Sequence, residues 1–276
     1  MVSRALRTAR RSNLAHRGLT LLELIVVMAI LVAIAAILIP LLPEYLGKSN
    51  QSAAATNMNE LEKAIQTFRA TYSRQPNYFD SLLAPGGTTL SRLLPSNASG
   101  VAGGALTTFA LTSGPQSRLS REGITTVYDI LDSAPNPVGD FHATLNPYGT
   151  APTTRTLSSG QTVVVLATPT SIPGLILDPT HKYAVFGIGK YCNLCGPDGI
   201  VKEAPVYGQH AQENTPSESY QRFAAVYDIG VDDDNTDRYN AKFIAVVAIG
   251  SDRLFSCGDL VGTYGDNRFD ASVPRK

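Results

Sequence analysis

The chain has 276 residues, 43% of them hydrophobic, and its 23 basic and 23 acidic side chains cancel to no formal net charge. That length allows one large domain or two small ones with a buried core. The balance is uneven: Arg4, Arg7, Arg10, Arg11 and Arg17 all fall within the first 18 residues, which hold no acid, and removing those five leaves 18 basic against 23 acidic residues, minus five for the remainder. A net-acidic remainder of this kind does not indicate a nucleic-acid surface, which shows basic clusters.

After the basic leader, residues 24–43 contain no charge and almost nothing polar. About 20 apolar residues at 1.5 Å each cover the roughly 30 Å hydrocarbon core of a bilayer, and a lipid-embedded segment satisfies its backbone hydrogen bonds only as a helix. Arginines immediately before such a span stay cytoplasmic, so the remainder is expected on the outer side, periplasmic or extracellular. The span is too long for a secretory h-region, and no small-x-small cleavage site follows it. One residue breaks the pattern. Glu23 is placed inside the apolar run, where an ionised carboxylate costs on the order of 3 kcal/mol on insertion scales and less near an end. A cut between Gly18 and Leu19 would place a new α-amino group four residues before Glu23, on the same helix face, where the two charges can neutralise each other. They can also pair between neighbouring helices, where low dielectric strengthens the attraction.

The run Arg-Gly-Leu-Thr-Leu-Leu-Glu-Leu, residues 17–24, resembles the class III signal of type IV pilins and type II secretion pseudopilins. The resemblance implies cleavage after Gly18 by a prepilin peptidase, N-methylation of Leu19, and Glu23 as the assembly residue. The first mature residue of that family is usually Phe, from which Leu19 departs. Pro40 stands twenty-one residues after Leu19, a spacing common in the family, and the resemblance implies local melting of the helix there; a proline removes one backbone donor and loosens a turn. A membrane-stored subunit of this kind has other pilin or pseudopilin subunits, prepilin peptidase, an inner-membrane assembly platform and lipid as partners. The mature length of 258 residues, 276 less the 18 of the leader, leans toward a minor rather than a major subunit. The rival reading is a signal-anchored periplasmic binding or enzymatic domain that never enters a filament.

Beyond Pro43 the helix is expected to continue to about residue 73. Met58, Leu61, Ile65, Phe68 and Tyr72 recur at alternating three and four residues, one apolar stripe with Glu60, Glu62, Lys63 and Arg69 off it. The chain is thus expected to comprise a leader, 1–18, the transmembrane and assembly half of the helix, 19–43, its amphipathic half, 44–73, and a globular head, 74–276. Residues 77–87 loosely resemble the turn and short helix that follow the spine in pseudopilins. Residues 84–126 read as a long connection with one or two short elements, among them 106–111, and 133–161, with four prolines, as mainly irregular. Strand signals follow at 162–168, 182–188, 223–229 and 242–249, the last three leaving through Ile-Gly. The fold class expected is α+β: a long N-terminal helix packed on a mainly antiparallel sheet in a pilin-like head, with the helical stripe covering one face of the sheet. The tail from Gly258 is expected to lie along the surface.

Two constellations carry possible chemistry. Cys192-Asn-Leu-Cys195 is followed at once by Gly196-Pro197, so it reads as a loop rather than the strand-to-helix turn of a thioredoxin-like site. Zinc would require Cys257 with His181 or His210 as further ligands. In an oxidising compartment a disulfide between Cys257 and either Cys192 or Cys195 is the other reading, supported by the C-terminal disulfide frequent in pilin heads. The second constellation is Asp232, Asp234 and Asp237 in one short loop, which with backbone carbonyls could hold Ca2+, as the late acidic loop of major pseudopilins does. No Gly-x-Ser-x-Gly, P-loop or His-Glu-x-x-His stands in the chain, and the chain reads as no enzyme.

Overall fold

The computed structural model describes residues 21–39, 42–84, 86–91, 94, 105–130, 153–168, 172, 175–207, 220, 222–235, 239–249 and 254–255. It divides into two compact units, residues 1–46 and 47–276. The described part of the first unit contains helix α1, Leu21–Leu38, apolar on every side and with no buried residue. Helix α2, Leu42–Tyr72, begins in the first unit and runs mostly in the second.

The stripe read from the sequence is the buried side of α2. Met58, Leu61, Ile65 and Phe68 are buried, with Ala54, Ala55 and Ala64 beside them; Tyr72, at its end, is half exposed and lies against Phe68 at 4.6 Å between ring centroids. The helix stops because Ser73 turns left-handed (φ 54°), its N–H still donating to Arg69 O at 2.8 Å. That is the single-bond left-handed C-cap, and Pro76 follows where the helix cannot resume. Arg69 in the last turn pairs with the buried Glu122 at 3.0 Å.

Nine strands form one sheet among the described residues. They are β1 (Phe79–Asp80), β2 (Leu106–Ala110), β3 (Thr126–Asp129), β4 (Thr153–Thr156), β5 (Thr162–Leu166), β6 (Lys182–Gly187), β7 (Phe223–Gly230), β8 (Lys242–Ile249) and β9 (Leu254–Phe255), and a short helix, α3 (Ser113–Arg121), lies between β2 and β3. The order is β4-β3-β1-β6-β7-β8-β9, with β2 joined through β5 to β6. Pairing is antiparallel except between β1 and β3. One edge of β6 is shared: Ala184 pairs with Val165 of β5, and Gly187 with Asp80 of β1.

The four strands expected from composition are the sheet's centre, because β6, β7 and β8 are buried on both faces and so read as continuous apolar runs. One face, with Ala184, Phe186, Ala225, Tyr227 and Val246, shares a core with the α2 stripe; the other, with Tyr183, Val185, Ala224, Val226 and Val247, packs with Leu82, Leu83, Leu94 and Ile172. Glu62 leaves the helix to accept the Val246 N–H of β8 at 3.0 Å, closing an edge group that β9, pairing only from Ala248, does not reach.

One expectation is corrected: the segment after the spine is not a turn and short helix, because Phe79–Asp80 is a strand, drawn into the sheet by parallel pairing with Val127 and Tyr128. Residues 84–126 hold two short elements, β2 where 106–111 was expected and α3, which buries Leu119 and Arg118, before β3 begins at Thr126. Residues 133–152 lie outside the described residues; after them comes β4, whose Thr-Thr-Arg-Thr sequence carries no apolar alternation because it is held at the sheet's edge by the ladder to β3.

Candidate functional site

The first candidate site is the N-terminal helix. Helix α1 is the one described helix long and apolar enough to cross a membrane. Eighteen residues at 1.5 Å each give about 27 Å, close to a hydrocarbon core. Glu23 lies in its first turn, where the positive end of the helix dipole favours a carboxylate. Ala29, Ala33, Ala35 and Ala36 punctuate the bulky residues of this helix, and small side chains let helix backbones approach closely in an apolar medium. Gly18, Leu19 and Pro40 lie outside the described residues.

The second is the cysteine loop between β6 and β7. Cys192 and Cys195 are both buried and both free thiols, and Cys257 lies outside the described residues. The Cys195 N–H donates to Cys192 O at 2.8 Å, so the pair spans one tight turn. Gly196 follows in the left-handed region (φ 108°), and Gly196 N–H to Val201 O (2.9 Å) and Val201 N–H to Leu194 O (3.0 Å) close the loop on itself. Asn77 fastens it to the sheet: its N–H donates to Asn193 Oδ1 (2.7 Å), its O accepts Asn193 N–H (3.1 Å), and its Oδ1 accepts the N–H groups of Thr125 and Thr126.

Beside the cysteines is a buried polar group that sequence reading missed. Tyr220 donates its hydroxyl to Asp80 Oδ2 at 2.5 Å, and both residues are fully buried. Burial pushes the Asp80 carboxyl up to about 7, against the lowering effects of the Tyr220 hydroxyl and the Arg222 guanidinium. Arg222 is itself buried, and its Nε and Nη2 have no hydrogen-bond partner among the described residues. Burial also pushes the Cys192 thiol well up and that of Cys195 to about 12. Only glycine fits at Gly187, because a Cβ there would collide with the Tyr220 hydroxyl. No spacing in the sequence could have joined Asp80 to residues 140 positions later; the only signal was an aspartate between Phe79 and the Leu82-Leu83 pair.

The third is the acidic loop after β7. Asp233 pairs with Arg118 of α3 at 3.1 Å, while the same guanidinium donates to Ile229 O (2.9 Å) and Val231 O (3.0 Å). Thr112 Oγ1 donates to Asp233 O (2.9 Å) and Ser113 Oγ to Asp234 O (3.0 Å). Gly114 is required here, since a Cβ would lie 2.5 Å from Asp233 O. The Val231, Asp233 and Asp234 carbonyls therefore accept from Arg118, Thr112 and Ser113, and Arg118 brings a positive charge to the loop. Among the described residues no group of three His, Cys, Asp or Glu side chains could hold a metal ion, and Asp237 lies outside them. His181 is engaged elsewhere, with Asp228 at 2.8 Å, and His210 lies outside the described residues.

Comparison with known families finds a match at the first site. Residues 13–39 match the family of the prokaryotic N-terminal methylation motif, a span that contains Gly18, Leu19 and Glu23 and all of α1. That motif is the hallmark of the prepilin-like proteins of the type IV pilin and pseudopilin families, and the chain carries it. No curated protein and no solved structure matches the chain. The α+β head, helix on sheet, is consistent with a pilin-like head.

Proposed function

We propose that the chain is a structural subunit of a type IV pilus or type II secretion pseudopilus, leaning toward a minor one. It is stored in the inner membrane as a single-pass protein with its leader cytoplasmic and its head periplasmic, and it polymerises through its N-terminal helix after prepilin peptidase cuts between Gly18 and Leu19. The observation that carries this reading is the methylation motif over residues 13–39, with Glu23 inside an otherwise uncharged helix. On leaving lipid for a bundle of like helices, α1 exchanges one apolar medium for another, so hydrophobicity does not drive assembly. Close packing must, together with neutralisation of Glu23 by the Leu19 α-amine of a neighbouring subunit. Pro40 loosens the helix for that packing. The partners are other subunits, prepilin peptidase and the assembly platform.

The test is Glu23→Leu expressed in the native host. The variant remains in the membrane fraction at wild-type level and disappears from sheared filaments. Wild-type incorporation of Glu23→Leu into filaments would refute the assembly role.

A further inference from the structure

We propose that Cys192 and Cys195 close a disulfide across their own turn, and that they do so before the loop docks on the core, so that folding seals the redox state the pair has then reached. The first and last residues of a tight turn have Cα atoms within about 7 Å, and a disulfide spans about 4.4–6.8 Å. The Cys195 N–H to Cys192 O bond shows that the pair makes such a turn. The turn is not free to move once folded. Asn193, between the cysteines, exchanges hydrogen bonds with Asn77, and Cys192 and Leu194 belong to the core that includes Phe79, Phe186 and Tyr227. Gly199 abuts the backbone of Leu194 and Cys195 so closely that a Cβ there would lie 2.5 Å from Leu194 O.

The chemistry is thiol–disulfide exchange with a small or protein disulfide as oxidant. One cysteine thiolate attacks a sulfur of the oxidant, forming a mixed disulfide and expelling one oxidant thiolate. The second cysteine thiolate attacks the first cysteine's Sγ and expels the other. Two thiol protons leave, the cysteine sulfurs lose two electrons together, and the oxidant is reduced to two thiols. Each attack needs an ionised thiol and in-line access for a third sulfur. In the docked loop neither exists. Cys192 and Cys195 are 0% and 8% exposed. With the Cys195 thiol raised to about 12, its ionised fraction at pH 8 is roughly 10³-fold below that of an unfolded cysteine near 8.5. The nearby Arg222 favours a thiolate at Cys195, but Asp80 and burial outweigh it.

The test uses the full-length protein in detergent micelles and does not depend on filament assembly. Trypsin releases residues 191–202 as one peptide holding both cysteines, separate from the peptide that holds Cys257. Protein refolded from urea with glutathione disulfide yields that peptide two hydrogens lighter and unlinked to any other. Protein refolded reduced and then given glutathione disulfide keeps both thiols. Its reaction with iodoacetamide at pH 8 is roughly 10³-fold slower than in urea. Three results overturn the proposal: a cross-link from this peptide to Cys257, failure of the pair to close during oxidative refolding, or alkylation of the folded thiols within tenfold of the unfolded rate. The variant Cys257→Ser repeats the refolding arm with only two cysteines, and closure must persist in it.

Discussion

Substitution of Asp80 by asparagine tests the buried polar group by its pH dependence. The Asp80 carboxyl titrates at about 7 in the folded chain against 3.8 in its absence. Between those values the native protein keeps a proton that the unfolded chain has released. Stability therefore falls as pH rises from about 4 to about 7 and is level above that. Three pH units at about 1.36 kcal/mol each give a decline of about 4 kcal/mol from this one group. Tyr220 and both thiols beside it are shifted upward by burial, away from this window. Asparagine keeps the shape and can still accept the Tyr220 hydroxyl, so Asp80→Asn matches wild type near pH 4 and exceeds it near pH 8. Urea unfolding of both proteins in the same micelles, followed through the near-ultraviolet signal of the 12 tyrosines, gives the difference free of other carboxylates. A wild-type-minus-variant difference that is constant within about 1 kcal/mol from pH 4 to pH 8 refutes the burial account.

Two further substitutions probe how the head is held. Ile65→Ala, at the fully buried centre of the α2 stripe, costs about 2–5 kcal/mol in urea unfolding, whereas Thr67→Ala on the exposed face stays within about 0.5 kcal/mol. Arg118→Met removes the cation that ties Asp233 to Ile229 O and Val231 O; a loss of about 2–3 kcal/mol and proteolytic nicking between residues 230 and 235 are expected, and unchanged stability and protease resistance would contradict that role.

What was legible in the sequence followed from burial. Helix α1 and the strands β6, β7 and β8 are apolar on all sides or both faces, so composition alone marked them, and the three-and-four spacing of Met58 to Phe68 marked the helix face that meets the sheet. Elements held by partners distant in the chain were not legible. β1 exists because Val127 and Tyr128 pair with it, β4 because β3 does, and α3 because Arg118 finds carbonyls more than a hundred residues away. The prepilin-type signal was readable because it depends on local spacing, Gly18 to Leu19 to Glu23. The Asp80–Tyr220–Arg222 group was not, because its members meet only after β1 and β6 pair and the segment entering β7 docks beside them.

The central claim is that a carboxylate is carried in an apolar helix because processing creates an amine to meet it. The most direct measurement is the intact mass and N-terminal sequence of the protein purified from the membranes of its native host. A chain that starts at Leu19, one methyl group heavier than the unmodified sequence, is the predicted result. A chain that still starts at Met1 and carries all five leader arginines would contradict it.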